Sequence, residues 1–383
     1  MTVGTSSTDL AGLPERWRVW ASHRPASQVL HLDSAAAGRA SFATLRAVGD
    51  HARREAEIGA YVAEAEAAPA LAAARAAAAA LTGVCAEGVA FVESASAALQ
   101  RLMSVWPLDA GATVGVLASE WGPNVEAFAG RGLGIVDLPA DSGGRLDLEA
   151  LARRLRDTPP TIVHLTQVAS HRGLVQPVAA AAALCRAAGV PLWVDAAQAI
   201  GHVDVACGAD VVYATSRKWL SGPRGVGVMA VADRWWPALR VRRAAMLPDD
   251  LPTVHRLESH DAHVAGRLGL GAAMREYIET GPAAVWRRLQ EVGRMTREAL
   301  VDTPGWQLVG SEASGAITAL RPTGGQDVAK TRSRLLNDHG ILVTSEQPAR
   351  APHDMRGPLL RISPHVDCTA EALLRVRSAL AED

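Results

Sequence analysis

The sequence predicts an α/β protein: a large domain with a mostly parallel, seven-stranded sheet flanked by helices, then a smaller α+β domain. Two observations carry this. Short, continuously apolar runs alternate with helical patterns through the first two-thirds of the chain, as expected for strands buried on both faces. After about Arg242 the pattern changes to a polar, Pro-containing stretch followed by a long helical segment.

Each element follows from its local pattern. The apolar runs Gly88–Val92, Thr113–Ala118, Gly134–Leu138, Thr161–Thr166, Val190–Val194, Val211–Ala214 and Val226–Val231 have strand length and punctuation. Leu146–Leu155 and Val178–Ala188 read as helices between them. Downstream, helices are expected at Pro282–Val301, Gln326–Asn337 and from Thr369. Strands are expected at Gln307–Val309, Ala316–Arg321, Ile341–Thr344 and Leu359–Ser363. The organisation expected is an arm over residues 1–25, partly flexible and packing near the small domain. A large domain over 26–250 and a small domain over 251–383 complete it.

Composition narrows the function classes. A net charge of −1 gives no bulk attraction to nucleic acid or anionic membrane. Four scattered cysteines without CxxC spacing indicate neither a disulfide framework nor a zinc site. The opening residues lack a signal-peptide pattern, and the apolar run Pro69 to Leu81, interrupted by Arg75, is too short to span a bilayer. A soluble cytoplasmic protein is the expectation. His260, Asp261 and His263 have a metal-like interval, but a solvated polar loop explains them and no metal is assigned.

Of 39 basic residues only two, Lys218 and Lys330, are lysine. Arginine stays protonated, whereas a desolvated lysine amine can act as a nucleophile. Lys218 lies between an apolar strand and the turn Gly222-Pro-Arg-Gly-Val-Gly227. Asp195 and Gln198 follow the preceding strand, Pro191-Leu-Trp-Val. Pyridoxal phosphate needs such a pair: a lysine for Schiff-base linkage and an acid to keep its pyridine nitrogen protonated. Gln198 then suits the ring's phenolic oxygen. Thr215, Arg217, Ser94 and Ser96 suit the phosphate, with Ser94-Ala95-Ser96 placed before a helix expected near Ala97. A nicotinamide reading of Gly222–Gly227 fails, because those glycines precede a strand and join no strand to a helix.

From about His31 to Leu380 the order of these segments resembles class V, fold-type I pyridoxal-phosphate enzymes, the group containing cysteine desulfurases and isopenicillin N epimerase. Phe91-Val-Glu-Ser-Ala-Ser-Ala-Ala-Leu is similar to the family's phosphate turn, implying that Ser94, Ala95 and Ser96 hold the phosphate. In Ser119-Glu-Trp-Gly-Pro-Asn the resemblance makes Trp121 the ring that stacks on the cofactor, where a histidine is usual. Thr161-Ile-Val-His-Leu-Thr-Gln implies a cofactor contact for Gln167 in place of asparagine. Leu32-Asp-Ser-Ala-Ala-Ala resembles the substrate-side entry, with Ala35 facing substrate. Leu360-Arg-Ile-Ser-Pro-His makes Arg361 the α-carboxylate ligand, a task suited to a bidentate guanidinium. Arg217 stands where a histidine is usual, and Asp261 where many relatives offer a hydroxyl to the neighbouring subunit's phosphate. A homodimer acting on a small amino-acid substrate is what the resemblance implies.

A desulfurase requires a nucleophilic cysteine before the carboxylate-binding arginine, and Ile341 to Arg361 contains none. Cys368, beyond Arg361, reads as packing. Lys218 alone can remove a Cα proton and expel a Cβ substituent. The expected reaction is therefore carbon–sulfur β-elimination, yielding pyruvate and ammonia; the resemblance implies a cysteine S-conjugate sulfoxide as the substrate. Desulfurase-like, epimerase-like and aminotransferase-like activities of the same fold remain as alternatives. The resemblance also implies a cationic group on the substrate, for which Trp17, Trp20 and Trp219 are candidates, with core packing as the competing reading.

Overall fold

A computed structural model describes residues 12–241, 250–310 and 314–382. Of the partly flexible arm expected over 1–25, residues 1–11 lie outside the described residues, and the remainder carries the helix Glu15–Ser22. Strands in chain order are β1 (Leu30–His31), β2 (Val89–Val92), β3 (Thr113–Val116), β4 (Gly134–Asp137), β5 (Ile162–Thr166), β6 (Leu192–Asp195) and β7 (Val211–Thr215). They continue with β8 (Gly227–Val231), β9 (Trp306–Val309), β10 (Thr318–Pro322), β11 (Ile341–Leu342), β12 (Thr344–Glu346) and β13 (Leu359–Ile362).

The large sheet has seven strands in the order β2-β8-β7-β6-β5-β3-β4, and every expected strand is present. All pairings are parallel except those of β8, which runs against both β7 and β2. The reason is local. Residues 216–226 join β7 to β8 without a crossover helix, so the chain must reverse. Lys218 sits on this reversal.

Side-chain alternation shows that both faces are covered. Val163, Leu165, Leu192, Val194 and Val212 enter one apolar cluster, while Ile162, Trp193, Val211 and Tyr213 face the other. The carboxyl ends of β5, β6 and β7 share one edge, where open α/β sheets bind ligands.

Helices the sequence reading did not assign include Phe42–Ile58, Ala60–Thr82 and Val264–Thr280. Ala60–Thr82 is alanine-rich nearly all round, so it shows no apolar stripe. It packs through small residues: a Cβ on Gly271 would come within 2.7 Å of Ala74 Cβ.

The C-terminal part carries a four-stranded antiparallel sheet, β12-β13-β10-β9. Its core includes residues of the helices Pro282–Leu300, Val328–His339 and Ala370–Leu380. The expected strand 341–344 is split into β11 and β12. β11 pairs in parallel with β1, and Leu30 and Leu32 join the small-sheet core. Cys368 is buried in that same core, which raises its thiol pKa.

A column of rings ties the N-terminal helix Glu15–Ser22 to the rest. Trp20 stacks on His365 at 4.4 Å, His365 neighbours Trp219 at 6.0 Å, and Trp219 stacks on His202 at 4.0 Å. His202 Nε2 accepts from the Ala316 amide at 2.8 Å, and its Nδ1 lies 3.0 Å from the Gln198 carbonyl, an arrangement that suits a neutral ring. Burial pushes His202 down to about 4 and His365 down to about 3, the latter helped by the nearby Arg24 charge. Both rings stay neutral in the fold, while in the unfolded chain they take up protons below about pH 6.5. Stability is therefore full above pH 6.5 and is lost on acidification. At pH 5 the loss should be roughly 2 kcal/mol per histidine. Unfolding midpoints at pH 7 and pH 5 measure it, and His365→Phe should fall less between the two.

Candidate active site

The lysine reversal is pinned from several sides. Ser221 holds φ +56°, a left-handed value rare outside glycine, and its amide donates to the Lys218 carbonyl at 2.9 Å. The Gly38 amide donates to the Arg217 carbonyl at 2.7 Å. A Cβ on Gly38 would collide with the Lys218 carbonyl and the Ser221 hydroxyl, so only glycine fits there. Lys218 thereby faces a cavity of about 410 Å³ at the carboxyl edge of the sheet. Burial, together with the positive charges of Arg217, Arg361 and Arg350, lowers its pKa to about 7 against the opposing pull of Asp195. A sizeable neutral fraction exists near neutrality, as a nucleophilic amine requires.

Asp195 ends β6 and lines the same cavity. Its Oδ1 accepts from the Ala197 amide at 2.8 Å and its Oδ2 from Asn124 Nδ2 at 3.0 Å. Burial raises its pKa, against stabilisation by Asn124 and Lys218. Asn124 also donates to Glu120 Oε1 at 2.9 Å. The same oxygen accepts from Thr166 Oγ1 and, at 2.9 Å, from the Trp121 amide. Glu120 Oε2 lies 3.0 Å from His164 Nδ1, whose Nε2 lies 2.7 Å from the Tyr213 hydroxyl. Burial alone would raise the Glu120 pKa, but His164, Thr166 and Asn124 outweigh it and hold the carboxyl below its ordinary value. Tyr213 is pushed well up by burial, so its hydroxyl keeps its proton. The sequence reading missed this chain behind Asp195, although Glu120 and Asn124 are spaced i,i+4 at a helix start.

Ser94 caps the helix Ala95–Val105, accepting from the Ala97 amide at 3.1 Å; the helix begins two residues earlier than expected. The hydroxyl acts there as acceptor and keeps its O–H to donate. The amides of Ala95 and Ser96, in the first turn, are further donors open to an anion. Ser94, Ala95, Ser96, Thr215 and Arg217 all line the cavity, and Arg217 Nη1 also reaches the Ala36 carbonyl. Gln198 lines it too. Its Oε1 accepts from Trp219 Nε1 at 2.9 Å and its Nε2 donates to the Ala35 carbonyl at 2.8 Å, leaving one N–H of the amide for a ring oxygen. Trp121, Ala35 and Arg361 line the cavity as well.

Gln167 does not join them. Its Nε2 donates to the Asp204 carbonyl at 2.6 Å, and Thr166 lines the cavity instead. Strand parity explains the shift: Val163 and Leu165 face the opposite core cluster, and Gln167 follows them. Trp17, Trp20 and Trp219 are core residues 6%, 6% and 2% exposed, and none lines the cavity. His260 and Asp261 line a separate groove beside Arg75 and Glu258.

Arg361 is 1% exposed. Its Nη1 meets Glu346 Oε1 at 2.6 Å and the Ser170 carbonyl at 3.1 Å, and its Nη2 meets Asp33 Oδ1 at 3.4 Å. Glu346 also pairs with Arg350, a cavity-lining guanidinium absent from the sequence-based set.

Pyridoxal phosphate fits these walls. An amine with depressed pKa, a buried acid, an indole and a helix N-terminus all line one cavity, and no hydrogen bond ties the Lys218 amine to a described residue. The chain belongs to the class V aminotransferase family, which matches residues 30–376, and pyridoxal phosphate is its cofactor. Within that class, it is 45% identical to a probable hercynylcysteine sulfoxide lyase of Mycobacterium tuberculosis (strain CDC 1551 / Oshkosh), over 98% of this chain and 95% of that protein. The fold is similar to that of a cysteine desulfurase from Thermococcus onnurineus NA1, with TM-score 0.83, 19% identity and coverage of 93% and 94% of the two chains. It is also similar to a C-DES variant with glycine covalently linked to its pyridoxal-phosphate cofactor, with TM-score 0.81, 16% identity and coverage of 92% and 96%.

Removing the Glu120 carboxylate should loosen three walls at once. Glu120→Ala leaves buried donors on Asn124 and Thr166 without an acceptor, so the dissociation constant for pyridoxal phosphate should rise about tenfold or more. Quenching of tryptophan fluorescence on titration with the cofactor measures this.

Proposed function

We propose that this chain is a carbon–sulfur β-lyase that cleaves hercynylcysteine sulfoxide to the ergothioneine sulfenate, pyruvate and ammonia. The observation that carries the reading is the cavity's chemistry. It offers an amine base with a pKa of about 7 and, among the described residues lining it, no cysteine. The 45% identity to a probable lyase of this substrate supports the same choice.

When bound, pyridoxal phosphate supplies an electron sink conjugated to the substrate's Cα. Lys218 would anchor it and would serve as the general base for the substrate's Cα proton. Asp195, held by Ala197 and Asn124, would offer its carboxylate to the pyridine nitrogen. The Ala95 and Ser96 amides, Thr215 and Arg217 hold the phosphate, Trp121 covers the ring face and Gln198 meets the phenolic oxygen. Arg361 binds the substrate α-carboxylate in exchange for part of its contact with Asp33 and Glu346. A sulfoxide departs as a sulfenate, a weaker base than a thiolate, so the cavity needs no strong acid beside the leaving group.

A homodimer is the proposed assembly. Of the nine exposed large apolar residues among the described residues, five (Val19, Phe42, Leu45, Tyr61 and Val62) fall within the first 62 positions and are candidates for cover by a second copy. Light scattering should give twice the 40.2 kDa chain mass; a monomer at working concentration refutes it.

The product assay decides the reaction. Holoenzyme given hercynylcysteine sulfoxide should release pyruvate, and given cysteine should not release alanine and sulfide; the reverse pattern restores a desulfurase. Lys218→Ala should abolish both the absorbance of lysine-linked cofactor and pyruvate release.

A further inference from the structure

Arg350 has no part in the roles assigned above, yet it is built into the cavity wall. It ends the short turn Pro348–Arg350, which sits directly on the start of the helix Gly122–Gly130: a Cβ on Gly122 would collide with the Ala349 carbonyl. The chain just beyond is fixed by Asp354, which meets His171 at 2.7 Å and Arg172 at 2.8 Å. The turn therefore places Arg350 beside Trp121, on the wall shared with Lys218 and Arg361.

The guanidiniums differ in their freedom. The Arg361 side chain is 1% exposed and meets Glu346, Asp33 and the Ser170 carbonyl. Arg217 is tied to the Ala36 carbonyl. Arg350 is 30% exposed and shares Glu346 with Arg361, so most of its five N–H donors remain open to the cavity. Two carboxylates, Glu346 and Asp33, lie among three guanidiniums, Arg217, Arg350 and Arg361, so positive charge is in excess; burial with Arg361 close by lowers the Arg350 pKa to about 10, against the pull of Asp33, without removing its charge at neutral pH.

We infer that Arg350 is the sulfoxide-recognising residue, donating to the sulfinyl oxygen of the substrate and to the sulfenate oxygen as it leaves. The inference rests on the β-lyase reading above. As Lys218 takes the Cα proton, the released pair forms the Cα–Cβ double bond. The Cβ–S bond breaks with its electrons going to sulfur, and the resulting negative charge is shared with the oxygen. A thioether offers no such oxygen, so Arg350 discriminates between the two oxidation states of otherwise identical substrates.

The test compares wild type with Arg350→Gln and Arg350→Lys as holoenzymes. Two readouts are used: pyruvate release from hercynylcysteine sulfoxide and its thioether, and spectroscopic binding of S-methyl-L-cysteine sulfoxide and S-methyl-L-cysteine through the cofactor band. In Arg350→Gln, kcat/KM for the sulfoxide should fall about ten- to a hundredfold, and binding should lose its sulfoxide preference. Thioether binding should change less than about threefold, and Arg350→Lys should recover part of the loss. Equal losses for sulfoxide and thioether would make Arg350 a carboxylate or structural residue and overturn the inference. Absence of sulfoxide preference in wild-type binding would overturn it as well. If wild type prefers the small sulfoxide through Arg350 but does not turn over hercynylcysteine sulfoxide, the substrate assignment fails and the role of Arg350 stands.

Discussion

The site depends on one buried carboxylate that need not touch the chemistry. Glu120 accepts from the Trp121 amide, from Thr166 and from Asn124, and through Asn124 it fixes the second oxygen of Asp195. Three walls of the cavity, from β5, from β6 and from the segment after β3, thereby share a single acceptor. A carboxylate in such a place is costly to desolvate, and unpaired it would take up a proton. Here His164 and three donors offset that cost. The pair stays polar inside an apolar layer because Phe128, Trp193 and their neighbours exclude water on that face of the sheet.

Around the substrate end the logic is reversed. Arginines outnumber the acids that face them, and Glu346 is divided between Arg350 and Arg361. Charges that only partly satisfy one another are poised to exchange partners when an anion arrives. That arrangement suits a site which must capture a carboxylate and then let go of what remains. It also lowers the Lys218 pKa, so recognition of anions and activation of the base arise from the same cluster.

Much of the fold was legible because β2 to β8 are short, apolar and separated by turn or helix signals. Lys218 was legible because lysine is so scarce in this chain. Asp195, Gln198, Thr215 and Arg217 were legible from their positions after apolar strands. The misses have physical causes. Alanine-rich helices hide their periodicity, since small residues can be buried on any side. Gln167 was misplaced because one residue of strand register exchanges the faces of a sheet. Arg350 was invisible because its direction is set by a turn resting on Gly122, a contact between segments more than two hundred residues apart. The antiparallel entry of β8 follows from the short reversal, which reads in sequence simply as a glycine-rich turn.

The segment from Leu30 to Gly38 has a mechanical meaning. At one end its amides pair with Gly340, Leu342 and Ser363 of the small sheet and its neighbours. At the other, Ala35 and Ala36 accept from Gln198 and Arg217, and Gly38 donates to the Arg217 carbonyl. Asp33 in the middle meets Arg361. One extended stretch of backbone is therefore bonded in series to the strand carrying Arg361, to the Gln198 amide and to the lysine loop. Such a stretch would act as a drawbar: any shift of the small sheet would be delivered to the lysine loop as tension along the chain.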